Sequence, residues 1–186
     1  MNDTEPLNRR MFFGIRPPPD VARRLHALAR TVARDGARPV PLANLHLTLY
    51  FVGQVAEPDC LVQGAGAIDG TPFTFTINTL GFFARARVAW AGPDGPVPRL
   101  VALAGGCRAV AERCEGPGDG RDFVPHVTLA RKVRRPPTLE RIEPIVWPVD
   151  RFQLFWSRNH GNGVEYEVVA ELPLRGRGAS GGIGST

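Results

Sequence analysis

Lysine is nearly missing from this chain: of its 23 basic residues, Lys132 is the only lysine. Cysteine is scarce as well. Cys60, Cys107 and Cys114 are odd in number and show no CxxC spacing, so neither a disulfide framework nor a zinc site is expected, and the plain reading is buried, reduced thiols in a cytoplasm. No apolar run approaches the roughly 18 residues that a membrane span needs. Met1 to Arg10 is polar and lacks the apolar region of a signal peptide. The expectation is a cytoplasmic protein with no membrane partner. No acidic cluster has the look of a magnesium or zinc site, so no metal and no cofactor is expected.

What is present is ordinary globular material: 186 residues, 43% hydrophobic and 22% charged, enough for one compact domain or two small lobes around one core. The net charge of +5 favours polyanions such as nucleic acid. The arginine bias has a second source in a GC-rich genome that spells its cations as Arg. Nothing in the composition argues against a monomer.

Periodicity and punctuation give the order of elements. Met11 to Ile15 reads as a buried strand, stopped by Pro17-Pro18-Pro19. A helix follows over about Val21 to Arg34, with Val21, Leu25, Leu28 and Val32 on one face and His26 beside them. A strand through His46 closes at Gly53, and a second helix spans Glu57 to Ile68. Strands are expected at Pro72 to Asn78 and Arg87 to Gly92, with a turn or short strand at Gly81 to Phe83 between them. A third helix runs from Pro98 to Cys114, and a strand covers Val124 to Arg131. A short helix is expected around Leu139 to Glu143, then strands at Val149 to Ser157 and Val164 to Leu174. These last two are joined by a hairpin turn at Asn159 to Gly163 that leaves His160 exposed. Residues 8–175 form the domain, and 176–186 form a Gly/Ser-rich disordered tail.

One pattern occurs twice. Asn44-Leu45-His46-Leu47-Thr48-Leu49 is echoed by Pro125-His126-Val127-Thr128-Leu129-Ala130-Arg131. In a strand, residues two apart leave the same face, so His46 and Thr48 point one way while Leu45, Leu47 and Leu49 point the other. Each motif strand also follows a strand and a helix, which suggests duplication of a small α+β unit. Histidine titrates near neutrality, so one imidazole can accept a proton from a nucleophile while the other donates one to a leaving oxygen. Threonine hydroxyls beside them can donate to the non-bridging oxygens of a phosphate. A single His on a strand is usually structural; two copies with matching flanks are not. A metal site built on His46 and His126 would need a third ligand, and nothing in the sequence places Cys60 or His160 beside them.

The paired motifs resemble those of the 2H phosphoesterases, within them the RNA 2′,3′-cyclic phosphodiesterases, also called 2′-5′ RNA ligases. Arg10 to Ile15, Phe83 to Gly92 and Tyr166-Glu167-Val168 resemble the opening, central and final strands of that family. The resemblance implies an α+β fold that is bilobal and pseudo-symmetric, with antiparallel sheets flanking a central cleft and helices on the outer faces. It implies metal-independent hydrolysis of a terminal RNA 2′,3′-cyclic phosphate to a 2′-phosphomonoester, with reversible 2′-5′ ligation as the reverse. It assigns His46 as proton donor, His126 as proton acceptor, and Thr48 and Thr128 as phosphate ligands. Two other readings stand beside it. One is a phosphodiesterase for small cyclic nucleotides or ADP-ribose derivatives, and the other is a non-catalytic RNA-end binding protein.

Further candidates are weaker. Arg131 has the wrong strand parity to face His126 and Thr128 unless the strand ends or twists, so a substrate contact competes with a solvated charge. Lys132, Arg134 and Arg135 extend a basic run along which RNA could lie. Phe12 shares a face with the small Gly14, which leaves room for a stacked base or, equally, for core packing. Trp90 and Trp156 carry the same ambiguity.

Overall fold

The computed structural model describes residues 9–116, 118, 121–137, 141–160 and 163–176. The strands are β1 (Arg9–Ile15), β2 (Arg38–Pro39), β3 (Leu47–Val55), β4 (Phe73–Phe83), β5 (Val88–Gly92), β6 (Val127–Arg131), β7 (Arg141–Val149), β8 (Arg151–His160) and β9 (Gly163–Pro173). The helices are α1 (Pro19–Val32), α2 (Asp59–Gly66) and α3 (Pro98–Glu115), and a 3-10 turn spans Leu42–Asn44. Apart from Gly176, the tail expected over 176–186 lies outside the described residues.

All pairing is antiparallel, in the order β7-β4-β5-β6-β3-β1-β8-β9, with β2 added to β6. The order divides into two four-stranded halves, β3-β1-β8-β9 and β6-β5-β4-β7. They meet through one bridge, Leu47 to Val127, between the two motif strands. In each half a strand and a helix precede the motif strand (β1-α1-β3 and β5-α3-β6), as the duplicated α+β layout requires. The helices cross over: α1 packs against β6, and α3 packs against β3. Each motif strand therefore rests on the helix contributed by the other half.

The residues explain these elements. Pro19 starts α1 where its missing N–H is not needed, and Asp20 complements the helix dipole. Val21, Leu25 and Ala29 then fall on one buried face, with Leu28 and Val32 partly buried beside it. In α3 the buried stripe is Leu100, Leu103, Ala104, Cys107, Val110 and Ala111, the spacing of one helical face. Along β1, Met11, Phe13 and Ile15 enter the main core with Leu47, Leu49, Val127 and Leu129.

Three expectations are corrected. Cys60 and Cys114 are not free thiols: they form a disulfide that ties α2 to α3, and only Cys107 is a buried free thiol. The bond needs two helices whose closeness is tertiary; Gly64 on α2 faces Val110 and Arg113 on α3 with no room for a side chain. The helix expected around Leu139 to Glu143 is not found among the described residues. Leu139 lies outside the described residues, and Arg141 opens β7. Ile145, Trp147 and Val149 alternate inward there, and Pro144 and Pro148 are tolerated because β7 is an edge strand. Gly81 to Phe83 is no separate element but the end of β4.

Candidate active site

The 3-10 turn at Leu42–Asn44 feeds directly into the first motif. Leu45, Leu47 and Leu49 are buried in the core, and the alternation turns His46 and Thr48 to the face away from the helices. In the second motif Val127 and Leu129 are buried the same way, turning out His126 and Thr128. The antiparallel Leu47–Val127 bridge lies at the centre of this arrangement, so each histidine approaches the other copy's threonine across the strand pair. The two histidines and two threonines share one site.

The rings are held identically. His46 Nδ1 lies 2.8 Å from the Asn44 carbonyl and His126 Nδ1 lies 2.7 Å from the Val124 carbonyl. A carbonyl can only accept, so each Nδ1 carries the proton and donates it. Each neutral ring therefore keeps its free lone pair on Nε2. Asn44 also donates from its side-chain amide to the Val164 carbonyl at 2.6 Å, tying the first motif to β9.

Their surroundings differ. His46 sits among Phe12 (ring centroids 4.8 Å apart), Tyr166 (4.8 Å, edge-on) and Phe155 (6.1 Å). His126 meets Phe83 edge-on at 5.0 Å and Trp90 at 6.2 Å. Burial pushes His46 down to about 4 against the pull of its Asn44 bond, and the charges of Arg131, His126 and Arg16 lower it further. His126 is lowered too, by burial and by Arg131, against its bond to Val124. Both rings are neutral at neutral pH in the free protein. An anion bound between them would offset the part of this lowering that the cations cause, and not the larger part due to burial.

Arg131 belongs to this site, and simple parity is overturned by a β-bulge. Thr128 pairs with Trp90 and Ala130 with Ala89, which leaves Leu129 as an extra residue on β6. Arg131 then pairs with Val88, two residues from Trp90, and so returns to the face of Thr128. Its charge acts on both imidazoles. Strand β3 carries the same bulge: Thr48 pairs with Gly14 and Tyr50 with Phe13, leaving Leu49 extra, and Phe51 pairs with Phe12.

Phe12 is on the site face but only 2% exposed, covered by His46, Phe51, Phe155 and Tyr166. It supports the His46 ring and offers no free face to a ligand. Trp90 lies across Gly81, where a Cβ would overlap the indole, and so walls His126. Trp156 pairs with Met11 on the opposite face and is flanked by the guanidiniums of Arg9 and Arg158. Lys132, Arg134 and Arg135 are exposed. Among the described residues no group of three or more His, Cys, Asp or Glu could hold a metal ion.

Several neighbours of the site were not singled out from sequence, Arg16 and Tyr166 among them. Arg16 acts on His46, lies over Phe155 at 5.4 Å and donates to the Tyr166 carbonyl at 3.3 Å. The alternation of Phe12 and Gly14, continued by two residues, was the signal available for it. Tyr166, edge-on to His46, comes from a strand about 120 residues further along, and no local pattern announces it.

Comparison with known proteins gives the family. The RNA 2′,3′-cyclic phosphodiesterase of Escherichia coli K12 is 36% identical over 66% of this chain and 72% of its own length. That of Thermus thermophilus is 35% identical over 90% of this chain and 91% of its own. The apo crystal structure of E. coli LigT superposes with a TM-score of 0.80 at 32% identity, covering 90% of this chain and 98% of that one. The 2′-5′ RNA ligase superfamily model matches residues 17–161. With that span of the chain matched, and relatives of this identity along it, the protein is a member of the 2′-5′ RNA ligase superfamily.

Proposed function

We propose that this chain hydrolyses the 2′,3′-cyclic phosphate at the 3′ end of RNA to a 2′-phosphomonoester, using His46 and His126 as acid and base. One observation carries the reading: two imidazoles in one site, each with Nδ1 committed to a carbonyl two residues back and Nε2 left free. The names of the relatives, RNA 2′,3′-cyclic phosphodiesterase, favour the same substrate.

In the reaction, water attacks phosphorus while His126 Nε2 takes its proton. The bond from phosphorus to the 3′ oxygen breaks, and His46 Nε2–H protonates that oxygen. The phosphate stays on the 2′ oxygen. The two histidines end with exchanged protonation states and reset through solvent. Thr48 and Thr128 donate to the non-bridging oxygens, where charge builds up, and Arg131 supplies positive charge beside both rings. The assignment of donor and acceptor follows the family, because the two motifs are near-equivalent by geometry. His46 is neutral in the free site, so its proton enters with the anionic substrate. With a 5′-hydroxyl in place of the attacking water, His126 takes the hydroxyl proton, the bond from phosphorus to the 3′ oxygen breaks with protonation by His46, and a 2′-5′ linkage forms.

A cytoplasmic location is part of the proposal, but it no longer draws on reduced thiols, given the Cys60–Cys114 bond. Among the described residues no helix is long and apolar enough to cross a membrane.

The test is an oligoribonucleotide ending in a 2′,3′-cyclic phosphate, with the product phosphate located by NMR. The expected product is the 2′-monoester, formed equally well in EDTA. A 3′-monoester, or loss of turnover in EDTA, would refute the reading. A mononucleotide with the same cyclic end distinguishes an RNA enzyme from one for small cyclic phosphates. An intact cyclic phosphate after long incubation would leave only an RNA-end binding protein.

A further inference from the structure

The two halves treat their surface cations differently. In the first half Arg151 pairs with Asp150 and Glu171, and Arg158 pairs with Glu167. At the end of the second half Arg38, Arg85, Arg87, Lys132, Arg134 and Arg135 are exposed, and none of them makes an ion pair among the described residues. Asp35 is the one acidic residue within three positions of any of them in the chain. Three segments bring the six together. Strand β2 sets Arg38 opposite Arg131, and directly opposed residues share a face, so Arg38 joins the face of the site. The turn from β4 to β5 carries Arg85 and Arg87 beside Val88, which pairs with Arg131 from the other side. Beyond β6 the chain turns at Lys132, whose φ is +59°. It is then pinned: the Val133 N–H donates to the Arg87 carbonyl at 3.0 Å, and the Val133 side chain is 3% exposed against Ala89 and Ala130. Arg134 and Arg135 therefore start from a fixed backbone.

We infer that this ridge holds the phosphodiester backbone of the RNA strand that leads up to the terminal nucleotide. The inference rests on the proposed phosphodiesterase reading and names what separates an RNA end from a mononucleotide as substrate. The ridge is continuous with the site through Arg131, the cation that acts on both imidazoles. Cations without carboxylate partners keep their charge for a polyanion, and five of the six are arginines, whose fork of donors fits a phosphate. A run of charges leading outward from the site matches a ligand whose negative charge repeats along its length. A substrate with a single phosphate ends at Arg131 and leaves the ridge uncovered. Backbone contacts carry no sequence information, so the ridge would add affinity for RNA without preference for its bases.

The experiment measures equilibrium binding by calorimetry over a series of salt concentrations. The probes are a short oligoadenylate ending in a 2′-monophosphate and adenosine 2′-monophosphate, so that no turnover is needed. Wild type should bind the oligonucleotide more tightly and with the steeper salt dependence. Arg85→Ala combined with Arg134→Ala should weaken the oligonucleotide by about 5-fold per charge at ~0.1 M salt, lower its salt slope by about 0.7 per charge, and leave the mononucleotide unchanged. The same loss of charge on the exposed faces of α1 and α3, Arg23→Ala with Arg113→Ala, should leave both probes nearly unchanged. Thermal melts of the variants confirm folding, which exposed side chains should not disturb. The inference is overturned if wild type does not distinguish the probes, if the ridge variant weakens both alike or neither, or if the helix-face variant weakens the oligonucleotide as much. The expected binding split without hydrolysis of cyclic-phosphate RNA would instead sink the proposed function and leave the ridge standing. Hydrolysis without the split would do the reverse.

Discussion

The half built around β3 and the half built around β6 have the same backbone and different linings. Each holds a histidine through Nδ1 on a carbonyl two residues back, and each inserts a bulge one residue after its threonine. Opposite Thr48 is Gly14, where a Cβ would stand 2.9 Å from the Leu47 carbonyl; opposite Thr128 is Trp90. On the next strand out the sizes invert, with Gln153 beside Gly14 and Gly81 beneath Trp90. Volume is exchanged between neighbouring strands rather than added, as a close-packed structure requires. The repeated motif thus supplies two histidines held alike, and the linings make them unequal. His46 is walled by three aromatic rings, while His126 makes its backbone bond at a more exposed position.

The largest expected effect tests whether the two halves are equally necessary. His46→Ala and His126→Ala should each lower kcat by about 10²- to 10⁴-fold, the usual worth of a general acid or base. A variant with near-normal turnover would show that one half is only scaffold.

Next is acid stability, where the halves should differ. His46 has its folded pKa depressed to about 4 from an ordinary 6.5. The unfolded chain then binds a proton first as pH falls. The stability present above 6.5 is therefore lost between 6.5 and about 4, by roughly 3 kcal/mol. Denaturant melts across this window should show that His46→Gln flattens the loss more than His126→Gln. Equal flattening would erase the contrast in burial.

Arg131 should give a smaller change with a distinctive signature. Because both imidazoles are depressed, kcat/KM should fall as pH rises through neutrality, where the pair holds no proton. Removing the cation beside them raises both pKa values. Arg131→Gln should then cost about 10-fold in kcat/KM, from the lost charge stabilisation, and shift the profile to higher pH. A loss without that shift would reduce Arg131 to a binding charge.

The smallest effect concerns Asn44, whose side chain ties the first motif to β9. Exposed Val124, its counterpart by position relative to the histidine, makes no comparable side-chain tie. Asn44→Ala should cost about 1 kcal/mol in stability, the worth of one hydrogen bond, and Val124→Ala should be nearly neutral in the same melt. Equal costs would mean that the tie adds nothing.

Much of the site could be read locally. The repeat of His-x-Thr-Leu and the period of a half-buried strand together name His46, Thr48, His126 and Thr128 and say which way they face. The same rule failed at Arg131, because a bulge depends on how β6 meets β5 and leaves no mark in its own alternation. It also could not choose for Phe12 between base stacking and burial, which Phe155 and Tyr166 decide from β8 and β9. Two prolines hid β7, since whether a proline is tolerated in a strand depends on its being at an edge.

From the chain alone come the α+β order, the duplicated motif, and a basic, arginine-rich composition, because short-range periodicity and residue type are properties of a sequence. The disulfide between Cys60 and Cys114, the registers that give Phe51 and Arg131 equivalent places in the two halves, and the aromatic wall around His46 come only from tertiary structure. Each depends on segments distant along the chain meeting in one register. A shift of a single residue would turn the same side chains to the other face.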